Sequence, residues 1–465
     1  MTQEPITTSE IEDSVPAGVD QPVVTYALLE YLHELLERND VAGVRGLVHD
    51  MHEADQAEIF NQLEPEDNIK LARLLGDAFN HDVLPELESE VVEDILEGLG
   101  PERSAEVIAA LETEDAVQII EDLPRQERED ILGTVDSSTR EELREGLSYP
   151  EESAGRMMRK KMVSIPEFWT VGDTIDFMRS HPDLPGDFYV VFVTDPKFRP
   201  TGEVHLARVM QNKRDVFIRD IMDSDIRALH TDTDQEQVAY IFRKYGLVEA
   251  PVVNDDGRLV GTITVDDAVE VLNEEQEEDI MRAAGLYGQD LHASIRSVAP
   301  RRFIWLFINL LTAIAASAII KMFEETIQHL VLLAVLMPIT ASMGGNAGIQ
   351  SATVAVRAIA TRRLGPGSGW AMMGREMLMG AINGVAIATI TGLGVYAIYG
   401  DGIIALIFAA AIIFTMTAAG LGGVFLPLLL TRLKVDPAIS AGVFLTMLTD
   451  MVGFFSFLGL AALVL

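Results

Sequence analysis

From Phe303 to Leu465 apolar residues fill the chain in five long segments, 303–320, 330–356, 371–399, 403–431 and 437–463. About 20 apolar residues cross a bilayer as a helix, so the pattern predicts five membrane spans. Upstream the rhythm changes. Leu63, Leu75, Leu87, Leu99, Leu111, Leu123, Val135 and Leu147 recur every 12 residues, with Met51 extending the series. Eight positions after each comes a second apolar residue: Ile59, Leu71, Val83, Ile95, Val107, Ile119, Ile131 and Leu143. Breakers follow many of the leucines, as in Leu63-Glu64-Pro65, Leu99-Gly100-Pro101 and Leu123-Pro124, so each unit reads as one short helix with its own start. Such a unit cannot bury its own face and must stack on its neighbours. Residues 25–150 are therefore expected to form an all-α superhelical domain suited to docking or sensing, behind a disordered tail at 1–24.

Between 151 and 276 strand-like and helix-like runs alternate. Val248 to Val253, Asp255-Asp256-Gly257 and Leu259 to Thr264 read as strand, turn and strand, followed by a helix opened by Asp266 and Asp267. A looser copy lies upstream, with strands at Phe188 to Thr194 and Gly202 to Leu206 around a turn at Asp195 to Thr201. The two units resemble a tandem pair of α/β CBS domains. That likeness implies an adenosine-nucleotide pattern, Gly-x-x-Thr-x-x-Asp, which Gly261, Thr264 and Asp267 fit. The first copy lacks it at Gly202-Glu203-Val204-His205, so at most one ATP-type site is implied.

Charge separates the two halves. Residues 301–465 hold nine Lys and Arg against six Asp and Glu, and the first 300 residues hold 26 against 66. An acidic soluble part is thus joined to a membrane part. The excess of acid excludes nucleic acid as a partner, since binding it requires basic charge. Met1 to Asp20 carries no Lys or Arg and no apolar core, unlike a secretory signal. Nine basic residues in the connections (Arg296, Arg301, Arg302, Arg357, Arg362, Arg363, Arg375, Arg432 and Lys434) face Lys321 alone on the other side. This places the N-terminus and soluble domains in the cytosol and the C-terminus outside. The absence of cysteine excludes disulfides and thiolate metal sites. No His-x-x-x-His pair, Walker-type glycine loop or nucleophile with its base is visible, which argues against an enzyme.

Two places carry candidate chemistry. In the second apolar segment, Met343-Gly344-Gly345-Asn346-Ala347-Gly348-Ile349-Gln350 sets small residues and amides at bilayer depth, and Asp450 puts a carboxylate into the fifth. Glycines there serve close helix packing, but an ionisable group at that depth marks an ion or proton path by default. Second, Asp267, Glu270, Glu274, Glu275 and Glu278 recur at helical spacing of three to four. Like charges so placed repel. A hard divalent ion, which prefers oxygen ligands, would relieve them; a solvated acidic linker is the plainer alternative.

In this order the parts resemble the MgtE family of magnesium channels and transporters along nearly the whole chain. The most specific stretches are Gly344 to Thr353 and Asp436-Pro437-Ala438 through Asp450. The resemblance implies a homodimer in the lipid bilayer, a pore between the subunits and a connecting helix within 277–300 leading into 301–465. It makes Asp450 the acid that binds the permeating ion and sets Asp436 near the cytosolic mouth. Asn346, Gln350, Thr446 and Thr449 complete the expected pore set. Cytosolic Mg²⁺ ligands fall on Asp234, Glu236, Asp267, Glu270, Glu275, Glu278 and Asp279, and Mg²⁺ is both cargo and regulator. Two departures stand out: Ile349 where the family repeats an asparagine, and Val443 where it has a proline near the centre of the fifth span. They leave Co²⁺ or another divalent ion as an alternative cargo. A membrane-anchored sensor without ion flux and a proton-driven exchanger are other readings.

Overall fold

Helix follows helix at the period set by the apolar residues. The computed structural model describes residues 24–49, 51–182, 184–186, 188–283, 295–361, 364, 367–435, 437 and 442–465. Residues 1–23, the middle of the connecting segment and Asp436 lie outside these described residues. After α1 (Tyr26–Glu37) and α2 (Val41–Val48) come α3 (Glu53–Gln62), α4 (Pro65–Leu75), α5 (Ser89–Leu99), α6 (Pro101–Ala110), α7 (Thr113–Asp122), α8 (Arg125–Thr134) and α9 (Ser137–Gly146). One repeat departs from the rest. The segment between α4 and α5 forms two 3₁₀ turns, Gly76–Ala78 and His81–Glu86, the second containing Pro85. A proline inside a helix removes an N–H and crowds the preceding turn, so this unit is kept short.

The eight-residue offset marks the core. Leu71, Val83 and Ile95 are fully buried, whereas Leu87, Leu99, Leu111 and Leu147 are partly buried around them. The leucines of the 12-residue series sit at helix ends, where several act as C-caps. Each buried aliphatic side chain contributes about 1.5–3 kcal/mol, and all belong to a single continuous core. A side chain at Gly98 of α5 would bring a Cβ to 2.6 Å from the Ile69 carbonyl oxygen of α4, so this glycine sets how closely the two helices approach.

Two small sheets follow, each of three strands. In the first, β1 (Ser164–Pro166) runs parallel to β2 (Val190–Thr194), and β2 pairs antiparallel with β3 (Pro200–His205). In the second, β4 (Leu229–His230), β5 (Glu249–Val253) and β6 (Leu259–Thr264) repeat that order and those directions. Helices α10 (Val171–Ser180) and α11 (Gln235–Tyr245) fill corresponding places in the two copies. Val190, Phe192 and Leu259 form a buried seam joining them. The Glu249 carboxylate crosses that seam, accepting from the Tyr189 and Val190 N–H groups at 3.3 and 3.1 Å and from the Thr262 hydroxyl at 3.1 Å. A buried carboxylate is tolerated there because its oxygens are hydrogen-bonded.

Helix α12 (Val265–Ala283) begins where β6 ends. The chain divides into two compact units, Met1–Asn273 and Glu274–Leu465, so the boundary falls within this helix. The second unit contains α13 (Ile295–Met322), α14 (Leu332–Ala360), α15 (Ser368–Tyr399), α16 (Gly402–Arg432) and α17 (Val443–Val464). All five are long and apolar enough to cross a membrane. The fifth starts at Val443 rather than 437, so Val443 opens the helix and does not stand near its centre. Half of the apolar window of α16 is buried, against 11% for α13. α16 is therefore the hub, packed by α14, α15 and α17. Small residues allow this: a Cβ at Gly423 would stand 2.6 Å from the Gly348 carbonyl, and one at Gly344 would stand 2.6 Å from the Thr415 methyl. In lipid, where apolar surface gives no net driving force between helices, such close packing is what holds a bundle.

Candidate functional site

The glycine-amide stretch resolves into two opposite faces of α14. Gly344, Gly348, Ser351, Ala352 and Ala355 are buried, and Gly348 lies 3.1 Å by its would-be Cβ from Leu445 of α17. These residues are the packing face. Ser342, Asn346, Gln350 and Thr353 recur at spacings of four, four and three and are all exposed. This second face is polar, and no described residue of the membrane unit buries it. Ile349 shares it at 43% exposure.

On α17, Asp450 is half-buried and has no hydrogen bond or ion pair among the described residues. Thr446, one turn earlier on the same face, is half-buried and donates its hydroxyl to the Gly442 carbonyl at 2.8 Å. With its hydrogen so placed, the oxygen presents lone pairs, the polarity that the water shell of a cation seeks. Thr449 is placed differently from the expectation. It is 1% exposed, donates to the Thr446 carbonyl at 3.0 Å and packs against Gly344, so it holds α14 and α17 together and is shielded from water.

The membrane unit also holds a carboxylate on its third span, outside the sequence-predicted site. Glu376 of α15 is 8% exposed; one of its oxygens accepts from the Ser351 hydroxyl at 3.1 Å, and the other stands 3.8 Å from Arg375 Nε. The signal was available, since Glu376 lies inside the third apolar segment. Ser351 neighbours Gln350, so Glu376 braces α14 directly behind its polar face.

In the first unit the acids meet a basic run. Arg156, Arg159, Lys160 and Lys161 stand together in a strongly acidic region. Arg156 pairs with Glu121 at 2.9 Å, Lys161 with Glu112 at 3.0 Å and Lys160 with Glu145 at 2.5 Å. These pairs dock α7 and α9 onto the sheet domain. Arg159 is the centre, reaching Glu114 at 3.3 Å and Asp266 and Asp267 at 2.7 Å each. Burial pushes Glu114 up to about 8 and Asp115 up to about 6. Arg159 pulls both down, whereas neighbouring acids, among them Asp82, Glu112 and Asp267 around Asp115, add to the rise. Carboxyl groups shifted upward favour the docked arrangement in their protonated form, so proton release opposes docking as the pH rises through that range.

The expected cytosolic ligands are only partly gathered. Asp234 caps α11, accepting from the Glu236 N–H at 3.1 Å. Asp267 uses one oxygen for the Thr264 N–H and hydroxyl, at 2.9 and 2.7 Å, and the other for Arg159. Thr264 and Asp267 thus close the start of α12, and Gly261 packs against Met158, 2.7 Å from its would-be Cβ. The residues of the nucleotide pattern therefore all have local structural roles. Glu270, Glu275 and Glu278 follow on α12, with Glu278 paired to Arg282. Asp279 is on the same helix, but its side chain lies outside the described residues. Among the described residues no three or more His, Asp or Glu groups are close enough to hold a metal directly.

Comparison with known proteins follows the same division. Residues 337–460 match the family profile described as a divalent cation transporter, 51–152 match the MgtE intracellular N domain and 218–274 match the CBS domain. The magnesium transporter MgtE of Thermus thermophilus is 33% identical over 322 residues, covering 68% of this chain and 71% of that protein. The protein of the same description from Enterococcus faecalis is 28% identical over 324 residues, covering 69% and 71%. Among solved structures, the soluble part of a magnesium transporter aligns with a TM-score of 0.47 at 27% identity, over 54% of this chain and 98% of that one. The cytosolic domain of the Mg²⁺ channel MgtE in complex with ATP aligns with a TM-score of 0.48 at 29% identity, over 52% and 99%.

Proposed function

This chain belongs to the MgtE family of divalent cation transporters, and from that premise we propose that it admits Mg²⁺ across the cytoplasmic membrane under control of cytosolic Mg²⁺. The observation that carries the reading is the polar face of α14. Exposed amides and hydroxyls on a membrane helix are costly against hydrocarbon. A second copy of the chain, with water between the two, would cover that face. In this homodimer Asp450, Thr446, Asn346 and Gln350 line a shared conduit.

Mg²⁺ gives up its water reluctantly and touches few carboxylates directly, so the conduit has to hold a largely hydrated ion. Asp450 supplies attraction, while Asn346, Gln350 and the lone pairs of Thr446 accept hydrogen bonds from the ion's waters. Asp436, near the cytosolic end by the topology assigned from basic residues, adds negative charge at the mouth. Ile349 removes one amide from the polar face, the specific reason to keep Co²⁺ as an alternative cargo.

Control resides in the acidic domains. Asp115, Asp267, Asp82 and Glu112 bring negative charge together near Arg159 and Lys161, Asp234, Glu236 and Glu270 add acids to the same unit, and Glu275, Glu278 and Asp279 continue the acidic run along the sequence. These are hard oxygen donors suited to Mg²⁺, which can act through retained waters. Bound ion would favour the docked, closed state, and its loss would let repulsion open it, a population shift set by differential affinity. An adenosine nucleotide at Gly261, Thr264 and Asp267 would require Asp267 to leave Arg159.

Reconstitution tests the cargo. Proteoliposomes containing the full chain and an entrapped divalent-ion dye are expected to take up Mg²⁺, with Co²⁺ and Ca²⁺ measured beside it. Absence of flux for every ion would favour the membrane-anchored sensor, and Co²⁺ uptake without Mg²⁺ uptake would move the cargo to the alternative.

A further inference from the structure

A cavity of about 380 Å³ lies in the membrane unit between the start of α15 and the end of α16. It shares none of the conduit residues. Its walls are Leu364, Trp370, Met373, Phe425, Leu428 and Arg432. The volume is on the order of a dozen water molecules and within the range of about 300–1,000 Å³ usual for ligand pockets. Gly369 keeps it open, since even a Cβ there would approach Leu428 to 3.1 Å.

Chemistry and position select the occupant. The side chains that line it are apolar except that of Arg432, which has no carboxylate partner among the described residues. Gly367, the residue before α15, supplies no side-chain cap, so the positive end of a 32-residue helix adds to the guanidinium. A cation is repelled from such a site, which separates it from the transport path. Trp370 is 70% exposed at the rim, the placement an indole favours at a membrane boundary. By the charge-based topology both helix ends lie on the cytosolic side, the leaflet that carries anionic lipid. An apolar slot ending in positive charge at that depth matches one molecule: an acyl chain joined to a phosphate.

We propose that this cavity binds an anionic phospholipid of the cytosolic leaflet, one acyl chain between Met373, Phe425 and Leu428 and the phosphate at Arg432. The chain has three tryptophans, Trp169, Trp305 and Trp370, so Trp370 can be left as the lone reporter by Trp169→Phe and Trp305→Phe. Phospholipids with brominated acyl chains, phosphatidylglycerol or phosphatidylcholine, are then titrated into reconstituted full-length protein. The anionic lipid is expected to half-quench Trp370 at about fivefold lower mole fraction, the preference of one basic group near the surface. A protein retaining only Trp305 serves as control and is expected to lack the bias. Arg432→Gln in the Trp370 background is expected to abolish it.

Equal quenching by the two lipids, or a bias that survives Arg432→Gln, overturns the site. Displacement of the bias by inorganic phosphate also overturns it, since the occupant would then be a free anion. Mg²⁺ uptake by the same vesicles separates the two ideas: lost bias with intact uptake removes only the lipid site, whereas absent uptake removes the transport reading.

Discussion

Asp450→Asn is expected to reduce Mg²⁺ uptake at least a hundredfold while the protein still inserts at its normal level. The substitution keeps size and polarity and removes one charge. A divalent ion one water away from a carboxylate gains on the order of 6 kcal/mol at an effective dielectric of about 20, before desolvation is subtracted. Every 1.4 kcal/mol lost is about a factor of ten, so a modest fraction of that attraction suffices for the loss. Stability should not fall with it. Asp450 has no hydrogen bond or ion pair among the described residues, and neutralising an unpaired charge at this depth relieves a cost. Uptake within threefold of wild type, with normal membrane content, would remove Asp450 from the ion path.

The second large effect lies in control. Asp115→Asn combined with Asp267→Asn is expected to leave transport intact at low Mg²⁺ and to raise the Mg²⁺ concentration for half-closure by about tenfold, or about 1.4 kcal/mol of lost differential binding. Asp115 is half-buried with Asp267, Glu112 and Asp82 acting on it, and Asp267 is also bound by Arg159. Neutralising both relaxes the repulsion that opens the domain and removes two oxygen donors of full charge. The two effects oppose each other when an ion binds, and only the first remains when none does, so the sign is informative. Flux against internal Mg²⁺ in patches or vesicles reads it. An unchanged half-closing concentration rejects these acids as sensors, and a lower one means that repulsion alone governs the gate.

Regular patterns were legible from sequence, and long-range meetings were not. The apolar residues spaced by 12 located the short helices because each unit repeats the same local problem of covering one face. They failed at 76–88, where Pro85 overrides the period with 3₁₀ turns. The paired sheets were readable even in the looser copy, since apolar runs flanking a turn at Asp195 to Thr201 encode a hairpin locally. The amides of the second span stand out in the sequence, but sequence alone does not separate packing residues from exposed ones. Gly344 and Gly348 fell on one side of α14 and Asn346 and Gln350 on the other, a distinction made by α16 and α17.

The docking centre was missed for a physical reason. Arg159 meets Asp267 across 108 positions of sequence, and no local period announces such a contact. Only the basic cluster of Arg156 to Lys161 within an acidic stretch marked it. Glu376 is a single acid beside Arg375 near the start of an apolar segment, and its burial against Ser351 arises only when α14 and α15 pack. Asp436 and the tail at 1–23 fall outside the described residues, and their assigned roles stand on the sequence pattern.

Accessibility one turn from the critical acid tests the conduit most directly. The chain contains no cysteine, so Thr446→Cys introduces a single thiol without further engineering, and Ile390→Cys on an exposed apolar face of α15 gives a lipid-facing control. A permanently charged, membrane-impermeant thiol reagent is expected to modify Thr446→Cys at least tenfold faster than the control, to block uptake and to be slowed by millimolar Mg²⁺. Modification no faster than at Ile390→Cys, and indifferent to Mg²⁺, would show that this face of α17 meets no water and would contradict the account.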